Sequence, residues 1–192
     1  MIIDPKSQLK SLSNEAQGIV NILVGDLQKV IDISNEKIKA LKGRPVSIFL
    51  NEQETWFRLA NRLVITTIES ICYSMKQTAY LVCQQRKLPL SSEKQELINE
   101  KKADGSPRYQ KTHENLKFSF ELLAYAFGTK SPLKFNKKWA IFLRTVKKRN
   151  ELTHPKVLKD LKISAKQHKE SAETLDWFED LIKELLDEPI SR

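Results

Sequence analysis

ETWFRLANRLVITTIESICYSMKQTAYLVC, residues 54–83, carries the most regular pattern in the chain. Phe57, Ala60, Val64, Ile68, Ile71, Met75, Ala79 and Val82 recur at three- and four-residue steps, which puts them on one stripe of an α-helix. Cys72 and Cys83 flank the stripe. Eleven residues apart on a helix, they stand about 16 Å from each other along the axis, far outside disulfide reach. Both read as small apolar core residues of a reducing compartment, and neither has a His or second Cys at ligand spacing, so no metal and no cofactor is expected.

Working outward, the same periodicity recurs. Upstream, Leu9, Leu12, Ala16, Ile19, Leu23, Leu27 and Val30 mark another helical stripe, halted at Gly43-Arg44-Pro45. Residues 46–50 read as a short extended piece, with Asn51 as N-cap and Glu54 in the capping-box position. Downstream, the helix should stop near Leu88-Pro89, because a residue before proline avoids helical geometry. Ser92 with Gln95 predicts a short polar helix, and Asp104-Gly105-Ser106-Pro107 a turn. Leu116, Phe120, Leu123, Ala124 and Phe127 form a stripe ending at Gly128. Asn136 caps a helix through Trp139, Phe142, Leu143 and Val146 into Arg149 and Asn150. After Pro155 a short piece holds Val157, Leu158 and Leu161, and Ser164 with Gln167 opens a last helix carrying Ala172, Leu175, Phe178, Ile182 and Leu185. The expected architecture is all-α, an antiparallel bundle of about five to seven helices. Residues 1–50 form an N-terminal helical extension and 51–192 the main helical domain, compact as a whole.

At 192 residues the chain can bury a real core, and 40% apolar with 30% charged residues is a globular composition, not a disordered one. The N-terminus lacks the apolar run of a secretory signal, and no stretch approaches about 18 apolar residues, so a soluble cytoplasmic protein with no membrane contact is expected. Net charge is +9, unevenly spread. Residues 134–169 hold twelve Lys or Arg against two acids, whereas residues 170–192 hold eight acids against two bases. Such a basic block suits a polyphosphate partner; it also suits a solvated face paired with the acidic tail. No Gly-rich phosphate loop, Ser-centred triad or carboxylate pair stands out.

Within the block, Lys147-Lys148-Arg149-Asn150-Glu151-Leu152-Thr153-His154-Pro155 gathers polar chemistry where a helix ends. Pro155 drives His154 out of helical geometry, and that break lets it fold back toward Arg149. Arg149-Asn150-x-x-x-His154 resembles the motif of the HEPN (higher eukaryotes and prokaryotes nucleotide-binding) domains, all-helical domains marked by Arg, a polar residue, and His four to six residues after the Arg. The resemblance covers residues from about 52 to 188, with a four-helix core. It implies a metal-independent endoribonuclease, toxin or anti-phage effector, acting on RNA as a homodimer whose two motifs face each other. An antitoxin or regulatory protein is a further implied partner. One departure is Lys156: toxins silenced by a partner nucleotidyltransferase have the acceptor Tyr at this place. The departure bears on that silencing, not on cleavage.

The residue types suit the chemistry. Histidine exchanges protons near neutral pH, which fits His154 as general base for a 2′-hydroxyl. The planar cation of Arg149 matches phosphate oxygens, and Asn150 can orient the imidazole or hold the phosphate. Lys147, Lys148, Lys156 and Lys159 are candidate backbone-phosphate contacts. Glu69, between Ile68 and Ser70 in the apolar helix, is a candidate fourth site residue that holds Arg149 or sets the His tautomer; an ordinary structural ion pair serves equally. His113 and His168 read as surface residues, and Trp139, Phe142, Trp177 and Phe178 as packing. Two rival readings stand beside the enzyme. Arg149 and His154 can be a helix C-terminal charge cluster favoured by the macrodipole. Alternatively the chain is a non-catalytic module binding RNA or protein through residues 134–169.

Overall fold

The computed structural model describes residues 46–187, with the isolated helical positions Gly18, Ile22, Gly25, Lys29 and Glu36. The stripe residues expected from Leu9 to Val30 lie outside the described residues. Among those described, five α-helices and one 3-10 turn follow one another: α1 Val46–Gln85, α2 Ser92–Asn99, α3 Thr112–Phe127, α4 Lys137–Thr153, the 3-10 turn Leu158–Leu161, and α5 Ala165–Asp187. No strand is formed there beyond a lone bridge between Lys101 and Pro107. No described helix is long and apolar enough to cross a membrane. The all-helical class is as the periodicity requires.

The 40-residue α1 starts at Val46, so the extended piece expected at 46–50 and the cap at Asn51 give way to its first turns. At the other end, Lys87 takes the left-handed conformation (φ 54°) and the Leu88 amide donates to the Cys83 carbonyl at 2.8 Å, closing the last turn just short of Pro89.

The chain divides into two compact units, each holding part of α1 and part of α5. The first, over described residues 68–134 and 179–187, buries Ile68, Ile71, Cys72, Met75, Ala79 and Val82 of α1 with Leu116, Phe120, Ala124 and Phe127 of α3. Three side-chain bonds fix the direction of these helices. Thr112 Oγ1 donates to Glu69 Oε1 (2.7 Å), Ser119 Oγ to the Cys72 carbonyl (3.1 Å), and Arg86 Nη1 to the Ala126 carbonyl (2.8 Å). The pairs climb together, so α1 and α3 run in the same sense, as the first and third helices of an antiparallel arrangement do. The chain returns through α2 and a turn in which Gly105 adopts φ 81° and the Lys102 amide donates to the Ser106 carbonyl. Lys76, 1% exposed, carries its ammonium inside and places it on Glu100 Oε1 at 2.9 Å. Burial pushes the Cys72 thiol up to about 12.

The second unit covers described residues 46–67 and 135–178. Here α4 and α5 are antiparallel: Trp139 and Phe142 meet Trp177, with ring centroids 6.0 and 5.5 Å apart, while Arg144 reaches back to Glu170. Asn136 Oδ1 caps α4 at the Lys138 amide (2.9 Å), and Ser164 and Gln167 cap α5 reciprocally, as their spacing predicts. The α2 cap is Ser91, one residue ahead of the expected Ser92.

One side of α5 departs from the expected stripe. Ala172 is exposed, whereas Ser171 and Thr174 are buried. Both hydroxyls bond their own helix, Ser171 to the Gln167 carbonyl and Thr174 to that of Glu170, which makes their burial tolerable. They then meet Asn61 Nδ2 (2.8 Å) and Thr145 Oγ1 (3.0 Å). His168 is also no surface residue: it is half-buried and stacks on Phe57, centroids 4.1 Å apart. Burial lowers its pKa below the ordinary 6.5. The unfolded chain therefore binds that proton more readily, and stability complete above pH 6.5 is lost as pH falls. His168→Phe keeps the stack and should flatten the decline of the melting midpoint between about pH 7.5 and about pH 5, read by thermal melts. An unchanged decline would assign it to other groups.

Candidate functional site

The end of α4 is assembled from its last buried contact outward. Leu152 is fully buried and seats the final turn. Arg62 of α1 donates to the Leu152 carbonyl, satisfying one of the acceptors a helix end leaves open. Thr153 Oγ1 bonds back to the Arg149 carbonyl, one turn earlier, at 2.8 Å. His154 is the cap residue, at φ −127° and ψ 63°, and its amide bonds the Asn150 carbonyl at 2.9 Å. The proline that follows accounts for this departure from the helix. Asn150 and His154 are exposed and Arg149 is half-buried, all three within the second unit.

Beyond the helix, residues 153–159 are exposed throughout but are held from beneath. Asp160 Oδ2 accepts the backbone amides of Lys156 (2.8 Å) and Val157 (3.2 Å), and these bonds keep its carboxyl below the usual carboxylate range. The Asp160 carbonyl in turn receives Lys148 Nζ at 3.0 Å, and Arg58 Nη1 bonds the Leu161 carbonyl at 3.1 Å. Three basic side chains of this unit thus end on main-chain oxygens around one turn.

This geometry corrects one expectation. Lys148 is 6% exposed, with its ammonium committed to Glu151 Oε2 (3.1 Å) and the Asp160 carbonyl, so it is a structural tether and not a phosphate contact. It falls on the inward face of α4, beside buried Thr145 and Leu152. Lys147, Lys156 and Lys159 are exposed and free of that role. Arg144, by contrast, places Nε and Nη2 on one oxygen of Glu170 at 3.0 and 2.8 Å, so part of the basic block is indeed matched by the acidic segment. Glu69 belongs to the first unit, where it is half-buried and accepts from Thr112.

Sequence reasoning missed Arg58, Arg62 and Asp160. The two arginines are one turn apart on α1, a spacing that sets them on one face, and Asp160 follows Lys156 and Val157 at the interval a local carboxylate cap requires. What the spacing could not reveal is that the partners of the two arginines are carbonyl oxygens.

Lys148→Ala should cost about 2 kcal/mol in urea unfolding, the worth of charged hydrogen bonds lost from the interior, whereas Lys147→Ala should cost under about 0.5 kcal/mol. Equal effects would remove the distinction between the two lysines. In comparisons with known proteins, no family model, no curated protein and no solved structure matches the chain.

Proposed function

We propose that the chain is a metal-independent endoribonuclease of the HEPN type, a toxin or anti-phage effector that cuts RNA as a homodimer. The observation that carries this reading is the presentation of His154: an exposed imidazole just past a helix end, with Arg149 and Asn150 on the preceding turn. In the reaction, His154 takes the proton of a 2′-hydroxyl, that oxygen attacks the adjacent phosphorus, and the 5′-oxygen of the next nucleotide leaves, taking a proton from solvent water to become a hydroxyl. Arg149 balances the charge growing on the phosphate, and Asn150 orients the imidazole or holds the phosphate. The products carry 2′,3′-cyclic phosphate and 5′-hydroxyl ends. Exposed Lys147, Lys156 and Lys159 supply phosphate contacts. Val157 and Leu158, 59% and 83% exposed beside His154, offer apolar surface for the second protomer. A regulatory protein that restrains the toxin, and action in the cytoplasm, complete the reading.

The rival module that binds RNA through residues 134–169 without cutting it separates cleanly. In EDTA, the wild type should release cyclic-phosphate ends from RNA, and His154→Ala should reduce the rate by at least about 10³-fold with helical circular dichroism unchanged. Salt-sensitive RNA binding without any cleavage would sink the enzyme and favour the module. Replacing Lys147, Lys156 and Lys159 together with Ala should lower the slope of log affinity against log salt by about 2 for single-stranded RNA. An unchanged slope would place the phosphate contacts elsewhere.

A further inference from the structure

We propose that Asp160 and Lys148 are positioning residues that hold the turn bearing His154 in its working geometry. This rests on the ribonuclease reading above and deepens it.

Residues 153–159 are exposed, and Pro155 prevents helical bonding to the preceding turn, so nothing in the local sequence fixes the direction in which His154 projects. The structure supplies that constraint from both sides. Upstream, Leu152 is buried and its carbonyl is held by Arg62. Downstream, the Asp160 carboxylate closes the loop on the Lys156 and Val157 amides, and the Asp160 amide bonds the Val157 carbonyl at 2.9 Å. The closed loop is then fastened to α4 itself, through Lys148 Nζ on the Asp160 carbonyl, six residues before His154.

The means are costly in free energy. An ammonium withdrawn from water loses hydration that a carbonyl and one carboxylate only partly replace, and an apolar side chain could fill the same volume more stably. A buried lysine at this place therefore serves geometry better than it serves stability. Precise placement matters for a general base, since displacement by about 1 Å can cost about 10²-fold in rate. The same clamp accounts for two exposed apolar side chains, Val157 and Leu158, standing on an ordered turn and not collapsing onto the core.

The test uses the full-length chain and a fluorogenic single-stranded RNA of mixed sequence, in EDTA. Asp160→Ala should lower kcat about 10- to 100-fold with KM nearly unchanged. Asp160→Asn, which keeps an oxygen to accept the two amides, should recover most of the rate. Lys148→Arg should likewise retain more activity than Lys148→Met. Wild-type kcat in Asp160→Ala, or equal loss in Asp160→Asn and Asp160→Ala, would overturn the proposal. A second measurement does not depend on cleavage. By NMR, Asp160→Ala should speed amide exchange at Lys156 and Val157 and broaden the His154 imidazole signals, while core resonances of the second unit stay in place. If the wild type cuts no RNA, the ribonuclease reading fails alone; if the His154 signals are as sharp in Asp160→Ala as in wild type, the positioning role fails whatever the activity.

Discussion

An ammonium group carried out of water must find oxygen, and each of the two units is organised around one that does. Lys148 in the second unit has Glu151 and the Asp160 carbonyl; Lys76 in the first has Glu100 and, at 3.5 Å, the Leu97 carbonyl. In both cases the oxygen supplied belongs to a backbone segment that has just left, or is about to leave, regular structure. The charge needs its partner, and its bond adds to those that already hold the partner segment, such as Arg58 on the Leu161 carbonyl and Gln77 on the Ile98 carbonyl.

Around these charges the apolar core does the bulk of the stabilising. The first unit is conventional, with aliphatic α1 against aromatic and aliphatic α3. The second mixes its interior: the Trp139–Phe142–Trp177 cluster sits at one end of the α4–α5 pair, and hydroxyls and amides take over toward the other. Asn61, Ser171, Thr145 and Thr174 are all fully or nearly fully buried there. Hydrogen bonds among them set one alignment of the helices, which apolar contacts alone leave open to sliding. That alignment brings Arg58 and Arg62 under the turn that follows α4.

How much of this could be read from the residues follows from the same physics. The stripe from Ala60 to Val82 gave α1 its buried face directly, because burial there is apolar and periodic. Asn136, Gly128 and the Ser164–Gln167 pair marked helix ends correctly, since capping is local chemistry between near neighbours. One failure came where partners lie far along the chain. The buried face of α5 was read correctly at Phe178 and Leu185 but not at Ala172, because Ser171 and Thr174 look like surface residues until Asn61 and Thr145 meet them. Lys148 looked like one more lysine in a basic run; only its direction on the helix distinguishes it from Lys147. At the candidate site, Pro155 announced the break that exposes His154, while the tie from Asp160 to the loop lay unnoticed a few residues on.

The two cysteines have a use beyond filling space. Cys72 and Cys83 are buried and unbridged, and the Cys72 thiolate is strongly disfavoured while the first unit is closed. A thiol-specific reagent can therefore modify Cys72 only during moments when α1 and α3 part. Its labelling rate is a clock for the opening of that unit, built into the natural chain and separate in sequence from Arg149, Asn150 and His154.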